Sequence, residues 1–197
     1  MKIRVEFENS MVSARSRAGV VKKIESDRYQ RQALCTVSGT TEKSSIIIRD
    51  IELFSEMREV EALQREVWAC EDRDLVPLSI FAATKEVGAI LIGAFDGSSL
   101  VGFAYGFVGY EKGHVVHHSH MLAVSPSYRN FNLGHRLKLA QRERALAQGI
   151  TRMSWTFDPL QSLNAHLNFA KLGVVADTYK INFYGEATSS FLHQIGT

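Results

Sequence analysis

A loop between a predicted strand and a predicted helix has the composition of an anion-binding site. The apolar run that ends at Val124 is broken by Pro126, and Leu133 and Leu137 then begin a pattern of helical spacing. The first turn of a helix leaves backbone N–H groups without partners and carries partial positive charge. Because Arg129 lies just before that turn, the loop is suited to binding a phosphate-like group.

Four histidines precede this loop on the predicted strand, at positions 114, 117, 118 and 120. Successive side chains of a strand point to opposite faces, so His118 and His120 share one face. His117 and Ser119 share the other. A histidine titrates near neutral pH, which makes His120 or His118 a candidate general base. The alternatives are simple packing and a metal pair, and a metal is not predicted because no third ligand is spaced to complete a tetrahedral set.

Further strands and helices must position these groups. Three consecutive isoleucines within residues 45–51 predict the first core strand, and apolar residues at three- and four-residue steps over residues 54–68 predict an amphipathic helix. Residues 75–87 predict a short second helix with Pro77 in its first turn. Asp96-Gly97 between two apolar runs predicts a hairpin ahead of the histidines.

The C-terminal half continues this pattern. Gly149 ends the helix that begins near Leu133, and residues 150–157 predict another strand. Residues 162–173 predict a helix that ends on a glycine, and residues 178–185 predict a last strand. The loop and the histidines therefore lie between the hairpin and these later elements.

Length and composition are those of one ordinary globular domain. The chain has 197 residues, of which 45% are hydrophobic and 22% are charged. No apolar run approaches the ~20 residues that a membrane span needs, and the N-terminus lacks an apolar signal core, so we expect a cytoplasmic protein with no membrane partner. Cys35 and Cys70 are too few for a disulfide framework, and the net charge of +2 argues against a nucleic-acid partner.

The first 43 residues differ from the rest in charge and periodicity. They carry a net charge of +4, whereas the remaining residues carry −2. Residues 1–7 alternate like a short strand, but the rest of this segment has little periodic apolar content. We therefore expect a basic, poorly ordered N-terminal extension over residues 1–43, followed by a single domain over residues 44–197. A basic arm that contacts nucleic acid or membrane is less favoured, because no aromatic residues interleave with the charges.

Arg129-Asn-Phe-Asn132-Leu-Gly134 resembles the Arg/Gln-x-x-Gly-x-Gly/Ala signature of the GNAT superfamily of acyl-CoA N-acyltransferases. In that family the turn holds the pyrophosphate of coenzyme A. Asn132 replaces the first glycine, and asparagine is the non-glycine residue that best tolerates left-handed backbone angles. The motif also follows a predicted strand and opens a predicted helix, as the resemblance requires.

A second segment resembles the same family. The family pattern is Asn-x-x-Ala-x-x-x-Tyr-x-Lys-Leu-Gly-Phe, which Ala165 and residues 171–173 match. Residues 158–164 and 179–185 are similar to an uncharacterised bacterial GNAT group, and some groups near it transfer succinyl from succinyl-CoA to amino acids. Three positions depart from the pattern by replacing its Asn, Tyr and Phe: Ser162, Phe169 and Val174.

The resemblance implies an α+β fold of the GNAT type. Its central sheet is mixed, mostly antiparallel and flanked by about four helices, and it splays where the coenzyme binds. Acetyl-CoA or another acyl-CoA is the expected co-substrate, without a metal, and a backbone N–H near residues 122–124 would polarise its thioester. The residues expected to contact the coenzyme are Leu122, Ala123, Val124, Arg129, Asn130, Phe131, Asn132, Leu133, Gly134, His135, Asn164, Phe169 and Lys171.

The implied chemistry is transfer of an acetyl or succinyl group to the amine of a small molecule or amino acid. His120 and His118 are the candidate bases. The family's usual proton donor to the departing thiolate is a tyrosine at the position of Phe169. Either Tyr179 or Tyr184 replaces it, or the thiolate, with a reference pKa of about 8.5, leaves unaided. The alternative function is a catalytically weak acyl-CoA-binding sensor or interaction module, which the departures from the family pattern favour.

The end of the chain also departs from the family. A last strand normally pairs beside the segment at residues 179–184, but only residues 186–197 remain to form it. We therefore expect a sheet without that strand, or an edge covered by residues 1–7 or by a partner chain in a homodimer. We expect the edge to be covered because an open apolar edge favours association with another strand or chain.

Overall fold

The computed structural model describes residues 2–8, 46–181 and 183, which belong to one compact unit. Seven strands form one sheet in this part of the chain: β1 (Lys2–Glu8), β2 (Ile47–Asp50), β3 (Ile90–Asp96), β4 (Ser99–Glu111), β5 (His114–Val124), β6 (Arg152–Phe157) and β7 (Val175–Lys180). Its α-helices are α1 (Phe54–Trp68), α2 (Leu78–Lys85), α3 (Leu133–Ala147) and α4 (Ser162–Ala165). A π-helical segment, His166–Lys171, continues α4.

The strand order across the sheet is β2-β3-β4-β5-β6-β1-β7. Within the described residues, every neighbouring pair is antiparallel except β5 and β6. The predicted mixed, mostly antiparallel α+β fold with about four helices is thus confirmed.

Two tight turns join the three consecutive strands β3, β4 and β5. Asp96-Gly97 turns β3 into β4, with a φ of 61° at Gly97. A second turn leads from β4 into β5, and both Lys112 and Gly113 have positive φ there. Glycine adopts such angles without steric cost, which explains why the chain reverses at these points. The predicted hairpin is confirmed.

Helices cover both faces of the sheet. On one face, here called the α1 face, α1 and α2 pack on β3 and β4; its buried side chains include Met57, Val60, Leu63, Phe81, Phe103 and Tyr105. On the other, the α3 face, α3 packs on the sheet; its buried side chains include Ala104, Leu133, Leu137, Ala145, Trp155 and Phe157. Burying one leucine or phenylalanine side chain contributes ~1.5–3 kcal/mol, so these two clusters hold the helices onto the sheet.

The first predicted strand forms at the edge of the sheet rather than in its core. β2 pairs only with β3 among the described strands. Ile47 is 64% exposed, whereas the flanking Ile46 and Ile51 are buried. An edge strand has a single neighbour, so a run of three isoleucines does not ensure burial along its whole length.

The N-terminal strand lies inside the sheet. β1 pairs antiparallel with both β6 and β7, and Val5 lies opposite Trp155 on one side and Ala176 on the other. The strand predicted at residues 1–7 is therefore confirmed, and it occupies the place beside β7 that the resemblance gives to the family's last strand. Most of the predicted extension, residues 9–43, lies outside the described residues, as do residues 186–197.

The last described strand begins earlier than predicted. β7 starts at Val175, whereas the sequence pattern indicated residues 178–185. The helix ends at a turn in which Gly173 has a φ of 63°, and pairing with β1 starts two residues later, at Val175. The non-local pairing with the N-terminal strand, rather than local propensity, sets this boundary.

Candidate functional site

The sheet opens between β5 and β6. These two strands run parallel and pair at two positions, His117 with Met153 and His118 with Ser154. Beyond those pairs, the recorded pairing does not extend to residues 119–124 of β5 or residues 155–157 of β6. Backbone groups along such an opening are available to a ligand, since neighbouring strands do not use them. The predicted splay is present.

A β-bulge lies where the opening begins. Tyr105 pairs with Met121, and Gly106 pairs with Ser119, so His120 is the extra residue on β5. A bulge increases the local twist and redirects side chains, and bulges are frequent next to active sites. The bulge therefore places an irregularity of β5 at His120, two residues after the last pair of β5 and β6.

The opening leads to the predicted anion-binding turn. A 3-10 helix over Pro126–Phe131 follows β5, and α3 begins at Leu133. Between them, Asn132 has a φ of 56° and a ψ of 22°, the left-handed conformation. Asparagine therefore adopts a left-handed conformation here, which few residues other than glycine tolerate. The N–H groups of residues 133–135 have no partners within the 15-residue helix and can donate to a phosphate.

Two cationic side chains, Arg129 and Lys171, lie beside this turn. Arg129 is exposed beside it. Lys171, which lies 39 residues after Asn132 in the chain, donates from Nζ to Asn132 Oδ1 at 2.8 Å. His135 Nδ1 lies 3.5 Å from the Asn132 amide nitrogen. The fold thus brings residues of both predicted segments together at one turn, where cationic groups favour a phosphate-like anion.

Gly134 leaves space beside the opening. A Cβ added here would lie 3.7 Å from Leu122 Cδ2 and 3.7 Å from Leu167 Cδ2, which is ordinary van der Waals contact. Leu122 belongs to β5 and Leu167 to the π-helical segment, so Gly134 faces the space between them. An alanine fits at this position, whereas a branched side chain would project into that space.

The other predicted coenzyme residues lie around the same end of the sheet. Ala123 is buried near the end of β5. The Phe169 side chain is 43% exposed, and its ring centroid lies 5.7 Å from that of Phe157, the last residue of β6. Asn164 donates from Nδ2 to Gln161 Oε1 at 3.0 Å, so its amide already has a local partner.

His118 and His120 lie together on the α1 face. Their ring centroids are 6.3 Å apart, and the Phe107 ring is 5.5 Å from His118 and 5.7 Å from His120. His118 Nδ1 lies 3.2 Å from Ser154 Oγ, across the last pair of β5 and β6. The two histidines therefore share a face, as predicted, and lie where the opening starts.

A buried polar cluster lies at the same level on the α3 face. Lys138 Nζ donates to Ser119 Oγ at 2.5 Å, and Ser119 Oγ donates to Gln141 Oε1 at 2.7 Å. Lys138 Nζ is also 4.0 Å from the centroid of the Trp155 ring. Lys138 thus contacts both strands that border the opening. We call these residues, with the buried His117 beside them, the Lys138 cluster.

The sequence patterns did not single out Lys138 or Gln141. Lys138 is 6% exposed and Gln141 is fully buried, although such side chains usually face solvent on a helix. The available signal was spacing: Gln141 lies midway between Leu137 and Ala145 at four-residue steps, on the stripe that faces the sheet. A polar residue on an apolar helical stripe is therefore what would have indicated the cluster.

Burial changes the pKa of two groups in the Lys138 cluster. It lowers the pKa of Lys138 from 10.5 to about 7. Burial, and then the charges of Lys138 and His118, lower the pKa of His117 from 6.5 to about 4. Both shifts favour the neutral form, because a charge in apolar surroundings loses its hydration.

We expect Lys138 to make the free energy of unfolding rise with pH between about 7 and 10. In that window the unfolded chain holds a proton that the folded protein has released, so stability increases by up to about 1.4 kcal/mol per pH unit. Lys138→Met removes this contribution. Urea unfolding at pH 7 and pH 9 should show wild type gaining stability relative to the variant at the higher pH, with Lys171→Met as the control for loss of a lysine. If the free energies of unfolding of wild type and Lys138→Met differ by the same amount at both pH values, Lys138 does not titrate as a buried amine.

The fold separates Tyr179 from the two histidines. Tyr179 lies on β7, and the strands β1 and β6 lie between it and the opening. A direct role for Tyr179 would need a ligand that extends past two strands, about 10 Å. Tyr184 lies outside the described residues.

The described residues contain no group of three or more His, Cys, Asp or Glu side chains placed to hold a metal ion. None of the helices in these ranges is long and apolar enough to cross a membrane.

Three solved structures share this fold. An aminoglycoside acetyltransferase from an uncultured soil metagenomic sample, in complex with trehalose, is 12% identical with a TM-score of 0.61, over 71% of this chain and 94% of that chain. AAC(6')-Iy in complex with the bisubstrate analogue CoA-S-monomethyl-acetylneamine is 19% identical with a TM-score of 0.57, over 72% and 97%. Glucosamine-6-phosphate N-acetyltransferase from Arabidopsis thaliana is 11% identical with a TM-score of 0.56, over 70% and 97%.

A sequence comparison identifies the family. No curated protein sequence matches the chain. The model of the acetyltransferase (GNAT) family matches residues 52–174, which is more than half of the chain and includes the opening, the bulge and the turn. The chain therefore belongs to the GNAT acetyltransferase family.

Proposed function

We propose that the chain is an acyl-CoA N-acyltransferase that transfers an acetyl or other acyl group to the amine of a small molecule. The observation that carries the proposal is the opening between β5 and β6, which begins at His118 and leads to the left-handed turn at Asn132. A thioester in the opening and a pyrophosphate at the turn would use both features at once. Two of the solved relatives are acetyltransferases named for aminoglycosides and glucosamine-6-phosphate, which supports an amine on a small polar molecule as the acceptor.

Acyl-CoA is the proposed co-substrate. The N–H groups of residues 133–135 would hold its pyrophosphate, with Arg129 and Lys171 adding positive charge. Along residues 122–124, backbone groups alternate between facing β4 and facing the opening, so an N–H of this segment would contact the thioester oxygen. A cytoplasmic location, in a bacterium, belongs to the same proposal.

The chemistry requires a neutral amine. A free alkylammonium has a pKa of about 10, so a base must take its proton near neutral pH before the nitrogen attacks the thioester carbon. We assign that role to His120, with His118 beside it on the α1 face. A C–N bond then forms, the C–S bond breaks, and the thiolate leaves with a reference pKa of about 8.5. The side chain of Phe169 has no proton to give it.

His120→Ala should lower kcat/KM by about 100-fold at pH 7 and by much less at pH 9, because the acceptor amine depends less on a base as the pH rises. The measurement is the rate of thiol release from acetyl-CoA across this pH range with a fixed amine. His118→Ala, on the same face of the same strand, is measured alongside to show which of the two histidines acts as the base. If the pH–rate profiles of both variants match that of wild type, neither histidine is the base, and both have only a packing role.

The alternative is a domain that binds acyl-CoA without efficient catalysis. Phe169 favours it, since this side chain lies near the end of β6 without a hydroxyl group. A turnover assay separates the two functions. Thiol release that depends on a member of an amine panel supports the transferase, whereas saturable coenzyme A binding without such release from acetyl-CoA or succinyl-CoA supports the binding module.

A further inference from the structure

We propose that the Lys138 cluster recognises a carboxylate at the end of the acyl group, so that the preferred donor is the coenzyme A thioester of a dicarboxylic acid. This inference rests on the proposed function and specifies the acyl donor for the same site. It comes from buried hydrogen-bond donors on the α3 face that lack acceptors.

The cluster contains more donors than acceptors. Gln141 Nε2 and both ring nitrogens of His117 are buried without a hydrogen-bond partner. In the neutral ring of His117, one of these nitrogens is an N–H donor and the other is an acceptor. Protonated Lys138 has three N–H donors, and one of them bonds to Ser119. Buried donors of this kind are rare in folded proteins, and each one costs stability unless an acceptor such as water or a ligand reaches it. The arrangement therefore calls for an acceptor that the described residues do not supply.

The missing acceptor should carry negative charge. Burial alone accounts for the shift of the Lys138 pKa, with no contribution from an acidic side chain. A buried amine without a counter-charge is unfavourable when protonated, and an anion beside it reverses that cost. A carboxylate also accepts up to four hydrogen bonds, which suits a cluster with several donors. A small cleft lies beside Lys138, and the other charged side chain that lines it, Arg142, is also a cation.

The cluster lies where the acyl end of a bound donor would be, and away from where its nucleotide would be. Ser119 and Trp155 are the first residues beyond the last pair of β5 and β6, and Lys138 contacts both. Lys138 thus lies at the closed end of the opening. The turn at Asn132 lies at the other end, after β5 has ended at Val124. The small cleft beside Lys138 has the apolar walls Leu139, Met153, Trp155 and Leu172, so the surroundings of the amine are apolar.

The test is isothermal titration of matched pairs of donors into the intact protein. Succinyl-CoA and butyryl-CoA each have four acyl carbons, and glutaryl-CoA and valeryl-CoA each have five, so each pair differs only in the terminal group. We expect at least one dicarboxylic donor to bind about tenfold more tightly than its neutral partner. Lys138→Met should bring that ratio close to one. Lys138→Arg, which keeps the charge, should retain part of the preference.

The outcomes separate this inference from the proposed function. Equal affinity within both pairs, or a preference that survives in Lys138→Met, would overturn the inference while acetyl-CoA binding still supported the transferase. Failure of every acyl-CoA to bind would overturn both. The last measurement uses free succinate. If succinate stabilises wild type but not Lys138→Met against thermal unfolding, and the affinities within each donor pair are equal, the cluster binds a free carboxylate. The inference is then wrong.

Discussion

Gly134→Val is expected to weaken the binding of coenzyme A by at least about 100-fold, close to 3 kcal/mol. The γ-carbons of valine reach about 1.5 Å beyond Cβ, into the space between Leu122 and Leu167. That space lies beside the N–H groups at the start of α3, which are proposed to hold the pyrophosphate. Isothermal titration of coenzyme A measures the loss, and 3′-dephospho-CoA and pantetheine show which part of the ligand is affected.

Gly134→Ala is the matched control for this variant. Its Cβ would make ordinary contacts at 3.7 Å, so binding should stay close to wild type. Arg129→Ala should fall between the two, with a loss of about 1–2 kcal/mol, the contribution of one exposed charged hydrogen bond. A folded Gly134→Val protein that binds coenzyme A like wild type would place the pyrophosphate elsewhere.

Val5→Pro is expected to cost roughly 2–4 kcal/mol of folding free energy. Val5 lies opposite Trp155 on one side and Ala176 on the other, so β1 is an interior strand of the sheet. Proline has no N–H to donate, and in an interior strand the loss removes a bond of the ladder whichever neighbour receives it. Domains are typically stable by only about 5–15 kcal/mol, so the variant should lose a large share of its stability.

Urea unfolding followed by circular dichroism measures this effect. Val5→Thr is the control, because threonine is also β-branched and keeps the backbone N–H. We expect its free energy of unfolding to stay within about 1 kcal/mol of wild type. If Val5→Pro proves as stable as Val5→Thr, the N-terminal strand does not hold β6 and β7 together in solution.

Local signals predicted most of the elements that surround the site. The spacing of Met57, Val60 and Leu63 indicated the buried stripe of α1, and Asp96-Gly97 indicated the turn between β3 and β4. The left-handed turn at Asn132 was predictable because few residues other than glycine tolerate those angles. Each of these features depends on neighbours within a few residues, which is the range over which a sequence pattern is informative.

Features that depend on distant pairing were harder to predict. The start of β7 is set by residues 2–8, almost the full length of the chain away. The exposure of Ile47 follows from the edge position of β2, which no local pattern encodes. The Lys138 cluster also needs a helix to be placed over two strands before its members meet. Long-range contacts of this kind decide burial and pairing, so the sequence indicated the elements better than their partners.

A crystal structure of the protein with coenzyme A tests the proposed site most directly. We expect the pyrophosphate to accept hydrogen bonds of about 2.9 Å from the N–H groups of residues 133–135, and the pantetheine arm to run between β5 and β6 towards His120. A coenzyme bound away from the turn at Asn132, or a sheet in which pairing of β5 and β6 continues past His118 and closes the opening, would contradict the proposed site.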